Sequence, residues 1–280
     1  MIIWIASYPK SGNTWTRAML SSYFYSKEGL FDFEQLESIK EFPKDSIYLK
    51  ENTIGKNLSD IAKEWIPAQK IINKNAKEDF LFLKTHSSMC SINSHNFTNA
   101  QNSLGGIYII RDPRNVVTSL GNHYNLSIKE SLKTLFNKHA KIQNPTKENF
   151  NNGLSYVSDW GNNYISWKKC KHFKIKIVKY EDLVRNTEYH FTEILLFLKT
   201  LIKFEIDKKK IKNVIKTTNF NTLKSKEKGN GFKEQKQMSG NDRPFFDLGP
   251  KRNWKKILDT KTSKSISDEY KEIMMELDYL

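Results

Sequence analysis

Four short apolar runs punctuate the chain, at residues 2–6 (IIWIA), 80–83 (FLFL), 107–110 (IYII) and 174–178 (KIKIV). Runs of this length fit strands of a parallel sheet covered on both faces. Helical spacing fills the intervals. Trp15, Met19 and Tyr23 recur every four residues with Leu20 and Phe24 beside them. Tyr156, Trp160, Tyr164 and Trp167 form a second stripe, and Ile194, Leu195 and Leu198 a third. Ile266, Tyr270, Ile273, Met274 and Leu277 predict one amphipathic C-terminal helix, opened by Ser265, Ser267 and Asp268. Strands alternating with helices imply βαβ units. The expectation is an α/β fold over residues 1–280: one domain with a central, mainly parallel sheet flanked by helices. Residues 224–242 (KSKEKGNGFKEQKQMSGND) show no periodicity and are expected to form a mobile loop that a ligand could order.

Composition narrows the class without naming a function. The 280 residues can bury a full core, and 38% hydrophobic with 12% aromatic residues is a globular balance. Two cysteines, Cys90 and Cys170, are too few for a disulfide framework. No long apolar span or signal-like start is present, so a soluble cytoplasmic protein is expected, its oligomeric state left open. The net charge of +15 admits a polyanion binder. No stripe of Arg and Lys interleaved with aromatics accompanies it, so a lysine-rich solvated surface explains it better and nucleic acid is not expected as a partner.

Chemistry begins where the first run ends, at YPKSGNTW, Tyr8 to Trp15. A turn between a strand and a helix aims backbone N–H groups at the helix N-terminus, where the macrodipole favours an anion. Set against the Walker pattern, the lysine position holds Asn13 and the first glycine position Ser7, while a lysine stands earlier, at Lys10. A second anion signal is IYIIRDPRNVVTS, residues 107–119. Arg111 at a strand's end can fork onto a phosphate. Asp112-Pro113 starts a helix, and Ser119 faces back two turns along.

The two motifs, in this order and about 100 residues apart, resemble the 5′-phosphosulfate loop and the 3′-phosphate segment of the sulfotransferases that use 3′-phosphoadenosine 5′-phosphosulfate (PAPS). The resemblance runs from residue 2 to about 258. It implies a P-loop-like sulfotransferase fold, with Lys10, Ser11, Gly12, Asn13 and Thr14 at the phosphosulfate and Arg111 and Ser119 at the 3′-phosphate. It implies Trp15 stacked on the adenine, Tyr180 of KYEDL touching it, and Thr218 and Phe220 of TTNF at the nucleotide. The last family motif departs. In FFDLGPKRNWKK, Gly249, Trp254 and Lys255 match, but Asp247 and Leu248 stand where Arg and Lys are usual, and Arg252 where glycine is. An Asp beside a phosphate is repulsive. Either Arg252 and Lys251 reach in from the far side of the turn, or nucleotide affinity is reduced.

The implied reaction moves a sulfuryl group from PAPS to a small-molecule hydroxyl or amine, leaving adenosine 3′,5′-bisphosphate. Such a transfer is governed by positioning and electrostatics. Lys10 would stabilise the leaving group. His86 in FLFLKTH resembles the family's base, and an imidazole suits that work near neutral pH. Lys84, two residues earlier, would assist. A carboxylate base, as in other branches, would fall on Glu28, Glu34 or Glu37. His95, His123, His139, His172 and His190 read as surface or packing residues. No metal-ligand spacing occurs, and no metal is expected. The acceptor pocket is expected from segments 31–77, 87–103, 122–152 and 224–242. Two other classes stay open on the residues: a P-loop small-molecule kinase, against which the missing Gly-Lys-Ser/Thr weighs, and a non-enzymatic polyanion binder resting on charge alone.

Overall fold

The computed structural model describes residues 1–43, 57–142, 154–232 and 244–280. At its centre lie five parallel strands in the order β2-β3-β1-β6-β9. These are β1 (Ile2–Ser7), β2 (Lys40–Glu41), β3 (Leu81–Thr85), β6 (Ser103–Ile110) and β9 (Lys174–Lys179). Two small antiparallel ribbons stand apart, β4 (Ser91–Ile92) with β5 (His95–Asn96), and β7 (Lys141–Ile142) with β8 (Ser155–Tyr156).

Helices sandwich this sheet because its inner strands are apolar on both faces. Residues 2–6 have no exposure at all. Ile2, Trp4 and Ala6 face one layer with Tyr108 and Ile110, joined by Trp65 of α2 (Leu58–Asn75), Val117 of α3 (Pro113–Tyr124) and Trp160, Tyr164 and Trp167 of α5 (Trp160–Lys168). Ile3 and Ile5 face the other with Ile107 and Ile109, joined by Met19 of α1 (Asn13–Tyr25), Leu195 of α7 (Thr187–Lys199) and Val214 of α8 (Lys208–Thr218). The period-2 alternation of a strand thus feeds two cores at once.

The remaining helices are short or capping: α4 (Ile128–Leu135), α6 (Tyr180–Arg185), α9 (Phe220–Asn230), α10 (Thr260–Glu269) and α11 (Lys271–Glu276). Three sequence expectations change here. The C-terminal helix is two helices broken at Tyr270, and its N-cap is Asp259, whose side chain accepts from Thr262 N, rather than the serine cluster. Tyr156 belongs to the β8 ribbon instead of α5, whose cap is Asp159. Residues 224–230 are helical, the end of α9, which Asn219 caps and whose Glu227 is buried; residues 233–242 of the expected loop lie outside the described residues.

Because the strands are parallel, the segments that follow them emerge on one edge of the sheet. The chain leaves β1 toward one flank and returns for β6 on the other, the kind of switch that opens a crevice at the carboxyl ends of strands. Residues 10–14, His86, Arg111 and Tyr180 come directly after β1, β3, β6 and β9 respectively.

Candidate active site

The turn after β1 is built to present backbone. Lys10 has φ 65° and Gly12 φ 103°, both in the left-handed half of conformational space. For Lys10 that is an uncommon conformation, of a kind found where function constrains the chain. Asn13 pins the turn to its strand, its Nδ2 donating to Ile5 O at 3.1 Å and Ser7 Oγ at 3.2 Å. Thr16 N donates to Gly12 O at 3.1 Å, closing the first turn of α1. The resulting helix N-terminus has the geometry and the dipole that suit an anion.

Gly12 is required twice over. Besides its φ, a Cβ there would lie 2.5 Å from Tyr180 Cδ2. The Tyr180 ring is a hub. Arg111 sits over its face at 4.5 Å, and Trp15 meets it edge-on at 5.8 Å. Burial pushes the Tyr180 hydroxyl's pKa up, while the nearby Arg111 charge pulls the other way. Arg111 Nη1 also donates to Lys10 O at 3.1 Å, tying the two anion segments together. Trp15 Nε1 donates to Thr218 O at 2.9 Å.

Across the cavity His86 lies at the end of β3. Its Nδ1 is 2.8 Å from Ser7 O. A carbonyl can only accept, so Nδ1 carries a proton, and whenever the ring is neutral its lone pair is on Nε2. The His86 carbonyl is in turn held by Asn163 Nδ2 at 3.0 Å, and Asn163 is fully buried. Lys84 pairs with Glu41 at 3.3 Å, a contact set by the β2–β3 register, which places these two residues side by side.

The remaining wall comes from the segment after residue 244. Phe245 lies over the Lys10 ammonium, 4.3 Å from Nζ to the ring centroid. Glu227 of α9 holds this segment by accepting from Phe245 N at 2.6 Å and Phe246 N at 2.9 Å. Gly249, at φ 48°, packs so tightly on Phe220 that a Cβ would come within 2.0 Å of the ring. Arg252 returns from the turn to pair with Asp247 at 2.7 Å and donates to Thr118 O at 3.1 Å. Together these elements enclose a cavity of about 380 Å³.

A family model described as a sulfotransferase domain matches residues 2–278. The chain belongs to the sulfotransferase family. Mouse sulfotransferase 1 family member D1 is 21% identical to it over 269 residues, covering 96% of this chain and 81% of the relative. Retinol dehydratase in complex with androsterone and the inactive cofactor PAP shares its fold, with TM-score 0.65 and 16% identity over 98% of this chain and 80% of that one. Mouse sulfotransferase SULT7A1 complexed with PAP superposes with TM-score 0.59 at 16% identity, over 99% and 84% of the two chains.

In this sulfotransferase the cavity gathers Lys10, Gly12, Asn13, Thr14, Trp15, Lys84, His86, Arg111, Ser119, Tyr180, Phe220 and Arg252 in its lining. Three expected residues stand elsewhere. Ser11 is fully buried beneath the turn, and its Oγ has no partner among the described residues. Thr218 is buried at the end of α8, its hydroxyl donating to Val214 O, so it supports Trp15 through its carbonyl instead of facing the cavity. Lys251 is exposed on the outside of the turn because the short 3₁₀ helix Gly249–Lys251 points it away.

Other residues were missed by sequence reasoning. Glu28, Glu34 and Glu37 are exposed and off the wall, and the glutamate that lines it among the described residues is Glu41. A two-residue strand leaves no pattern to find. His123, expected as surface or packing, lines the cavity, edge-on to Phe245 at 5.5 Å. Segment 87–103 contributes nothing to the wall and forms the β4–β5 ribbon instead. Asn122, His123, Tyr124 and Ile142 do come from the expected 122–152 segment, of which residues 143–152 lie outside the described residues, as do 44–56 of segment 31–77. Among the described residues no cluster of three or more His, Cys, Asp or Glu could hold a metal ion, and no helix is long and apolar enough to cross a membrane.

Proposed function

We propose that this sulfotransferase takes the sulfuryl group from PAPS and passes it to the hydroxyl of a small acceptor, with His86 as the base and Lys10 on the leaving group. The observation that carries the proposal is the Ser7 carbonyl on His86 Nδ1 at 2.8 Å. It commits Nε2 to accepting a proton, in a cavity that His86 shares with Lys10 and Arg111.

The residues present fit the nucleotide. Arg111 lines the cavity beside Tyr180, and its Nε is buried without a partner among the described residues. Buried polar atoms of this kind call for a ligand's oxygens. Arg111, Ser119 and Arg252 supply the contacts for a 3′-phosphate, Trp15 and Tyr180 aromatic faces for adenine, and residues 10–14 the turn for the 5′ end. Lys10 and Lys84 would oppose charge growing on the bridging oxygen, with no rearrangement needed at the moment of transfer. Structural neighbours of the same fold were solved with PAP, and with androsterone or retinol beside it. Those pairings agree with a small hydroxyl compound meeting a nucleotide in such a cleft. His123, Tyr124, Ile142 and Phe245 give the acceptor side an aromatic and apolar lining.

The test is transfer of label from [35S]PAPS into small-molecule extracts, with adenosine 3′,5′-bisphosphate and ATP plus magnesium compared as thermal stabilisers. Labelled product and selective stabilisation by the bisphosphate are expected. Stabilisation by ATP–magnesium alone would favour a kinase.

A further inference from the structure

One corner of the cavity holds an ion pair between Asp247 and Arg252, five residues on in the same turn. The turn is fixed by Gly249 against Phe220 and by Lys224 Nζ donating to Asp247 O at 2.7 Å. Arg252 is clamped at both ends: Nη2 on Asp247 Oδ2 at 2.7 Å, Nη1 on Thr118 O at 3.1 Å. Its side chain is 8% exposed and that of Asp247 32%, and both residues line the cavity with Arg111 and Ser119. One end of the cavity therefore carries two guanidiniums and one carboxylate.

The chemistry of that trio is asymmetric. Two neighbouring guanidiniums repel, and a buried one without a counter-charge would be costly to hold in place. A carboxylate solves this between turnovers. It also puts a fixed negative charge beside the spot where the bound nucleotide's own anion must sit, and one fork of Arg252 is already taken.

We propose that Asp247 is a built-in counter-anion of the nucleotide site: it keeps the Arg252 guanidinium in the cavity wall and competes with the 3′-phosphate for it. This rests on the PAPS reading given above. The chain then holds 3′-phosphorylated adenine nucleotides less tightly than Arg111, Ser119 and Arg252 alone would, and it lets the bisphosphate product leave faster. Asp247 sets affinity by opposing the ligand's charge.

Calorimetric titration of the wild type, Asp247→Asn and Asp247→Ser with adenosine 3′,5′-bisphosphate and with adenosine 5′-monophosphate tests this. Asparagine is isosteric and can still accept from Arg252, so the guanidinium keeps its place while the competing charge is gone. The bisphosphate should bind Asp247→Asn roughly tenfold more tightly, about 1.4 kcal/mol, with the monophosphate almost unchanged. Asp247→Ser should shift in the same direction, and affinity in both variants should fall more steeply with salt than in the wild type. Unchanged or weaker bisphosphate binding in Asp247→Asn would overturn the counter-anion role and leave Asp247 as a strut. A wild type that binds neither nucleotide would overturn the PAPS reading, and the counter-anion role with it.

Discussion

Replacing Gly12 with alanine should damage the site by a route that can be separated into parts. At φ 103° and ψ 12° an L-residue sits outside its comfortable range, a strain of about 1–2 kcal/mol. The new methyl would also lie 2.5 Å from Tyr180 Cδ2, and the ring is 8% exposed with Arg111 on its face. Pushing a packed ring aside typically costs about 1–3 kcal/mol. The sum is about 2–5 kcal/mol, read as a lower urea midpoint with an unchanged slope. A double-mutant cycle isolates the ring. In a Tyr180→Ala background the clash has no partner, so Gly12→Ala should cost only the backbone strain of about 1–2 kcal/mol. Because Tyr180 carries Arg111, the single variant should also bind adenosine 3′,5′-bisphosphate more weakly. An equal cost in both backgrounds would refute the reasoning, since the ring would then not be what excludes a side chain at position 12.

Three further outcomes are expected. His86→Asn should lower kcat by ~10²–10⁴-fold with bisphosphate affinity nearly kept, and the rise of kcat/KM with pH through the imidazole's titration should vanish; near-normal turnover would shift the search to Glu41. Lys10→Ala should reduce kcat far more than bisphosphate binding, and equal losses would make it a binding residue only. Burial, as the largest cause, raises the Glu181 carboxyl above its ordinary range, even though Asp112 N and the Tyr279 hydroxyl donate to it at 3.1 and 2.8 Å. A raised folded-state pKa contributes stability that is full below the unfolded value and is lost as pH rises through the folded one. Glu181→Gln cannot titrate, so chemical denaturation from about pH 4 to 7 should show the wild type losing ground to the variant as pH rises.

Much of the fold was legible because its strands are short, apolar on both faces and parallel, which leaves unmistakable runs such as IIWIA. That the turn after β1 and the residue after β6 come together was legible for a related reason: a tight strand-to-helix turn needs particular residues at fixed offsets, as Gly12 shows. What escaped depends on tertiary register. Glu41 meets Lys84 only because a two-residue strand pairs with β3. Thr218 fits its motif, yet the hydrogen bond from Trp15 goes to its carbonyl. Helix α9 was unreadable because its charged sequence has no apolar stripe; its place is held by Asn219 as cap and by Glu227 gripping Phe245 and Phe246, neither of which leaves a periodic trace.

Among the described residues the two outermost strands, given above only as the ends of an order, carry charge along the sheet's margins. β2 is merely Lys40–Glu41, and β9 reads KIKIVK, lysine at every second position until its last turn toward the core. An open sheet margin is a template on which another chain can extend the ladder, and charge, above all lysine, is what makes such docking unfavourable. Lys176 is already engaged with Glu193, and the Lys179 ammonium reaches the Leu277 carbonyl, so part of that fringe is stitched to the body of the protein. Along β9, then, lysine both weighs against further strand pairing and ties the strand to the helices behind it.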